Sequence, residues 1–192
     1  MKNLAMAVPH ALLVLVAAGI AGCGVGSVSP LVSDADIQYD STLVGSWQDS
    51  SANESVVITA VSPNRYSLTY TDSEGKIGRF RGVLGQVNSL RILDLEPEDL
   101  PLEASDVYKS LLLPLHGAVF IDSIDPQLRF RILETDSLKH YLQQQPRAIT
   151  HVMRDDAVVL TAQTPDLQRF LVSYVRRGGA LGGPNVMARR PR

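Results

Sequence analysis

The sequence predicts a mainly β domain, a small antiparallel barrel or sandwich carrying two or three short helices. Three observations predict it. Residues 65–71 alternate strictly, which places Tyr66, Leu68 and Tyr70 on one face of a strand. Turn-forming residues recur at hairpin spacing, at 62–64, 72–75 and 88–89. Apolar stripes of helical period occur only in the second half, where they interrupt the strands.

The elements follow in order. Residues 55–61 form a strand that Ser62, Pro63 and Asn64 turn into 65–71. Gly75 supplies the positive φ for the next reversal, into a strand over 76–84, and Asn88 and Ser89 lead into another over 90–95. Residues 96–101 are an acidic, proline-broken connection, and a helix over 103–113 stops before Pro114. The apolar run 111–115 is either a buried corner or an exposed site at a cavity mouth or membrane. A hairpin over 116–124 and 127–133 turns at Asp125 and Pro126.

Asp136 then caps a helix bearing Leu138, Tyr141 and Leu142, and Pro146 ends it. A strand pair at 148–153 and 157–162 follows. Thr164, Pro165 and Asp166 open the last helix with a cap, a first-turn proline and a favourable acid. Its stripe of Leu167, Phe170, Leu171, Tyr174 and Val175 is expected to pack on the sheet.

Ahead of these elements lies a leader with Lys2 as its positive start and an apolar core over 11–18. That run is well short of the roughly 20 residues of a membrane-spanning helix. It closes on Ile20, Ala21, Gly22 and Cys23, and Cys23 is the only cysteine. This segment resembles the lipobox of bacterial lipoproteins. The resemblance implies cleavage between Gly22 and Cys23, a diacylglyceryl group on the Cys23 sulfur and an acylated amino terminus, with no other cofactor. A lone exported cysteine cannot form an internal disulfide, so acylation gives the thiol a purpose. Two or three acyl chains anchor stably where one does so only marginally. Gly24 stands where inner-membrane lipoproteins often carry aspartate, so the outer membrane, facing the periplasm, is favoured over the outer leaflet of the inner or cytoplasmic membrane.

Cleavage leaves 170 residues, enough for one domain. The expected organisation is a signal peptide over 1–22, a lipidated cysteine and flexible tether over 23–33, a single β-domain over 34–176, and a disordered basic tail over 177–192. All 20 acidic residues lie between Asp34 and Asp166. Removing Lys2 and the five arginines at 176, 177, 189, 190 and 192 leaves 12 basic residues against them. An exported acidic body does not suit a nucleic-acid partner.

Gly45, Ser46 and Trp47 open the first strand in the manner of the Gly-X-Trp motif of lipocalins, to which the domain is similar. Glycine allows a tight entry, and tryptophan plugs the closed end of the barrel while its indole nitrogen seeks an acceptor. Trp47 is therefore read either as that plug or as the core anchor of any small barrel. The other lipocalin motifs, a Thr-Asp-Tyr segment midway and an arginine beside the last strand, are not convincingly matched. The whole pattern also resembles uncharacterised bacterial lipoproteins carrying a lipocalin-like domain.

No enzyme motif emerges. His116, His140 and His151 show no metal-ligand spacing, and neither a His-Glu-X-X-His segment, a Gly-X-Ser-X-Gly elbow nor a phosphate-binding glycine loop is present. His116 and Asp122 would sit about 20 Å apart along one strand. The arginines alternate: Arg79 with Arg81, and Arg129 with Arg131. If their strands are neighbours, four guanidinium groups make an anion or partner patch. Otherwise they pair with acids such as Glu54, Asp94 and Glu134 on an exposed face. The expected function is an anchored, non-enzymatic module that binds an apolar or amphiphilic ligand or a lipid. The alternative is an interaction module that engages another envelope protein through the arginine face or the last helix.

Overall fold

The computed structural model describes residues 24–49, 51–98, 112–154 and 157–191. The leader, Gly22, Cys23 and most of the helix predicted over 103–113 lie outside the described residues. Leu112 and Leu113 are described and are not helical.

Eight strands close an antiparallel barrel. They are β2 (Gly45–Asp49), β3 (Glu54–Ser62), β4 (Arg65–Thr71), β5 (Ile77–Val87), β6 (Leu90–Pro97), β7 (Gly117–Ser123), β8 (Gln127–Ile132) and β11 (Asn185–Arg189). Strands β2 to β8 form a meander of consecutive neighbours, and β11 closes the circle between β8 and β2. Closure removes the two open edges that a sheet of this length would otherwise expose. The predicted meander is therefore present, and the barrel is the correct choice between barrel and sandwich.

Two cores lie back to back on the barrel wall. Inside it pack Leu43, Trp47, Ile58, Tyr66, Leu68, Leu84, Leu93, Ile121, Leu128 and Met187. The outer core covers Ile92, Val87 and Phe120 on the far face of the same strands. What covers them is α1 (Thr135–Gln144), α2 (Thr164–Arg176) and a separate sheet of β1 (Val25–Ser27), β10 (Val158–Leu160) and β9 (His151–Met153). Neighbouring residues of β6 point to opposite sides, so Ile92 and Leu93 can each be buried in a different core.

Both chain ends differ from the sequence-based expectation. The flexible tether predicted over 23–33 is instead a strand and a buried strap. Val25 to Ser27 pair in parallel with Val158 to Leu160, and Leu31 and Val32 are buried. Gly26, read as flexibility, serves close packing: a Cβ there would meet the Leu115 side chain at 3.0 Å. Nor is the tail predicted over 177–192 disordered through its described residues 177–191, because β11 fills the gap between β2 and β8 and buries Met187 inside the barrel. The folded unit thus runs from Val25 to Arg189, beyond the predicted 34–176.

Both helix caps shift as well. The cap of α1 is Glu134, whose carboxylate accepts from Ser137 N at 2.8 Å, in place of Asp136. At α2 the cap is Gln163, without a side-chain bond. The Thr164 hydroxyl instead donates to Pro30 O at 2.7 Å and ties the strap to the helix. The last strand pair exists, as β9 and β10, but outside the barrel.

Candidate functional site

Alternation of strand direction assigns each connection to one end of the barrel. The entry of β2, the β3–β4, β5–β6 and β7–β8 turns and the exit of β11 share one end. The β2–β3 and β4–β5 turns and the long β6–β7 connection share the other.

The first end is closed. A single helical turn, Ser41–Leu43, is capped by the Asp40 carboxylate, which accepts from Thr42 N at 2.8 Å. Hydrogen bonding from Thr42, with help from Arg91, holds the Asp40 carboxyl below its ordinary range although burial opposes this. Tyr66 reaches the same turn. Its oxygen accepts from Asp40 N at 2.8 Å, and Tyr39 stacks on its ring with centroids 5.6 Å apart. The turn places Leu43 beneath Trp47, and the indole Nε1 donates to Leu43 O at 3.0 Å. Both side chains are fully buried.

Arg189 completes the closure. Its guanidinium carbon lies 4.0 Å from the Trp47 ring centroid, and the group donates to Val44 O at 2.9 Å and to Thr42 O. Here is the arginine beside the last strand that the sequence alone does not reveal, since it sits in the segment taken for a disordered tail. The guanidinium passes through the space a Cβ at residue 45 would occupy, and Gly45 has a φ of +153°. Glycine, tryptophan and arginine are therefore one mechanical unit. The ring plugs the barrel, the guanidinium seals the ring, and glycine leaves room for the seal.

The other end is built differently. Tyr70, Phe80, Leu95, Val119 and Phe130 continue the inward faces of their strands but stay only partly buried. The Tyr70 hydroxyl is shielded from water and faces the Glu54 carboxylate without reaching good hydrogen-bond geometry. Burial first, and then the nearby Glu54 carboxylate, push its pKa above the ordinary tyrosine value. Leu112 and Leu113, on the connection that reaches this end, are 46% and 63% exposed. The apolar run is thus not a fully buried corner, although Leu115 packs on Gly26. Two open grooves lie among the described residues, one lined by Ser46, Trp47, Val57 and Arg190, the other by Val87, Asn88, Gln168 and Arg169.

The predicted arginine patch does not form. Arg79 and Arg81 lie on β5, while Arg129 and Arg131 lie on β8, with β6 and β7 between them. Each pair does share an outward face, as alternation requires. Arg131 makes a two-pronged bond to Asp122, with Nη2 at 2.7 Å and Nε at 3.0 Å, and Arg81 reaches Glu96 at 3.4 Å. Arg81 and Arg131 thus pair with acids, though not with the acids expected. The apolar stripe of α2 is likewise occupied, since Leu167, Phe170, Leu171 and Tyr174 are buried in the outer core.

His116 finds a partner that strand spacing conceals. Its Nδ1 lies 2.9 Å from Asp94 Oδ1, and hydrogen bonding to this carboxylate raises the imidazole pKa against the opposing effect of burial. Asp94 is itself buried, and its Oδ2 accepts from Leu31 N at 2.7 Å. The signal for it was an acid at an apolar position of β6. Asp122, which strand spacing sets far from His116, pairs with Arg131. Among the described residues, no group of three or more histidine, cysteine or acidic side chains is placed to hold a metal. No described helix is long and apolar enough to cross a membrane.

Fold and closed end together define a small eight-stranded antiparallel barrel, consistent with a lipocalin-like form. Comparison with protein-family models, curated proteins and solved structures gave no match.

Proposed function

We propose that this chain is a non-enzymatic envelope lipoprotein whose barrel takes the apolar part of an amphiphilic molecule or a lipid at its open mouth. The observation that carries the proposal is the contrast between the ends. Trp47 seals one, while at the other Tyr70, Phe80, Leu95 and Phe130 line a mouth left half-buried, with the Tyr70 hydroxyl shielded beside the Glu54 carboxylate. The filled interior suits insertion of a chain end at the rim better than a deep enclosed cavity.

Anchoring rests on the lipobox at Ile20 to Cys23, and the outer-membrane assignment on Gly24. Engagement of another envelope protein has less support, because the arginine patch is dispersed and the apolar face of α2 is used internally. The test is photo-crosslinking in cells expressing the full chain and fed a diazirine-bearing fatty acid. Non-covalently held probe should mark peptides containing Tyr70, Phe80 or Phe130, and Phe80→Glu should reduce the yield severalfold. Adducts confined to the outer wall would rule the mouth out.

A further inference from the structure

We infer that the lipid surface is itself the partner of one edge of this domain: the β1–β10–β9 sheet is mounted directly on the membrane, and the barrel is held there in one orientation. The inference rests on the proposed acylation of Cys23 and adds to it the absence of a spacer.

A flexible tether over residues 23–33 would give the domain a reach of roughly 18 Å. The fold removes that freedom. Gly24 O accepts from Val158 N at 3.1 Å, and Val25 already belongs to β1, so the acylated residue is one Cα step, about 3.8 Å, from the folded unit. Strand β1 is gripped on both sides. Val25 to Ser27 run parallel to Val158 to Leu160, and Ser27 exchanges two backbone bonds with His116, each of 2.8 Å.

The strap that follows is fastened to three further elements. Asp94 of β6 accepts from Leu31 N, Gln168 of α2 donates to Leu31 O at 3.1 Å, and Val32 fills the hollow left by Gly85 of β5. Peeling the strap away to lengthen the anchor would expose Leu31 and Val32 and strip two partners from a buried carboxylate. Losing those bonds from a buried carboxylate makes that opening costly. The anchor therefore cannot be paid out like a line.

Geometry then selects what faces the headgroups. Gly24 lies beside the β9–β10 turn, in which Arg154 and Ala157 exchange backbone bonds. Arg154 is exposed, and Val152 of β9 is 49% exposed. Strand β3 occupies the opposite wall, four strands from β7 in either direction around the barrel.

The test uses the full chain in bilayers with two single-cysteine labels, Arg154→Cys beside the anchor and Thr59→Cys on the opposite wall. Acylated Cys23 is a thioether and does not take the label. A nitroxide carried on lipid headgroups should quench the fluorophore at residue 154 severalfold more than that at residue 59. Inserting about ten Gly-Ser residues between Gly24 and Val25 should abolish the difference. Equal quenching at the two sites in an acylated chain overturns the fixed mount and leaves the lipobox reading intact. Failure to incorporate labelled fatty acid overturns both.

Discussion

The two ends of the barrel solve opposite problems with the same strands. At the Trp47 end the polar atoms of the closure are bonded: indole to Leu43 O, guanidinium to Val44 O, Tyr66 to Asp40. At the Tyr70 end the inward residues are as apolar, yet they are half-buried and the hydroxyl meets the Glu54 carboxylate outside good hydrogen-bond geometry. A domain that needed only stability would close both ends. The difference places the bonded closure at one end and leaves the described residues of the other only partly buried.

Trp47→Ala tests the closed end most severely and has the largest expected effect. Truncating a fully buried aromatic side chain costs about 3–5 kcal/mol, and here it also takes the ring from beneath Arg189. Urea unfolding followed by circular dichroism should show the midpoint fall accordingly. A variant that unfolds like the parent would mean the closed end is not where stability resides.

Gly45→Ala should have a smaller effect, roughly 1–3 kcal/mol, because the new methyl meets the Arg189 guanidinium at a φ that disfavours a side chain. Pairing it with Arg189→Ala separates the two causes. If the clash dominates, the glycine substitution costs much less in the Arg189→Ala background; an unchanged cost assigns the effect to the backbone alone.

How much of this was legible in the sequence depends on the distance over which each feature acts. Gly45 and Trp47 are two positions apart and could be read as a unit, as could the alternation of Tyr66, Leu68 and Tyr70. Arg189 lies 142 positions beyond Trp47 and in a run of arginines and glycines whose composition suggests disorder. Only the register of β11 brings it to the ring. The same holds for Val25, which looks like part of a linker until β10 arrives beside it. The arginine pairs illustrate the boundary: period two assigned each pair to a face, but which strands are neighbours is a property of the closed circle.

Tyr70→Phe is the gentlest probe of the comparison, and it acts at the open end. Removing a shielded hydroxyl that meets Glu54 only outside good hydrogen-bond geometry relieves a desolvation penalty, so stability should stay level or rise by up to about 1 kcal/mol. Uptake of the photoactivatable fatty acid should fall in the same variant, because the ring remains while the hydrogen bond to a polar head is lost. Opposite signs for stability and binding are the signature of a group kept for a ligand. If Tyr70→Phe instead destabilises the protein by as much as an ordinary buried hydrogen bond, with labelling unchanged, the hydroxyl serves the fold, and the two ends differ in packing alone.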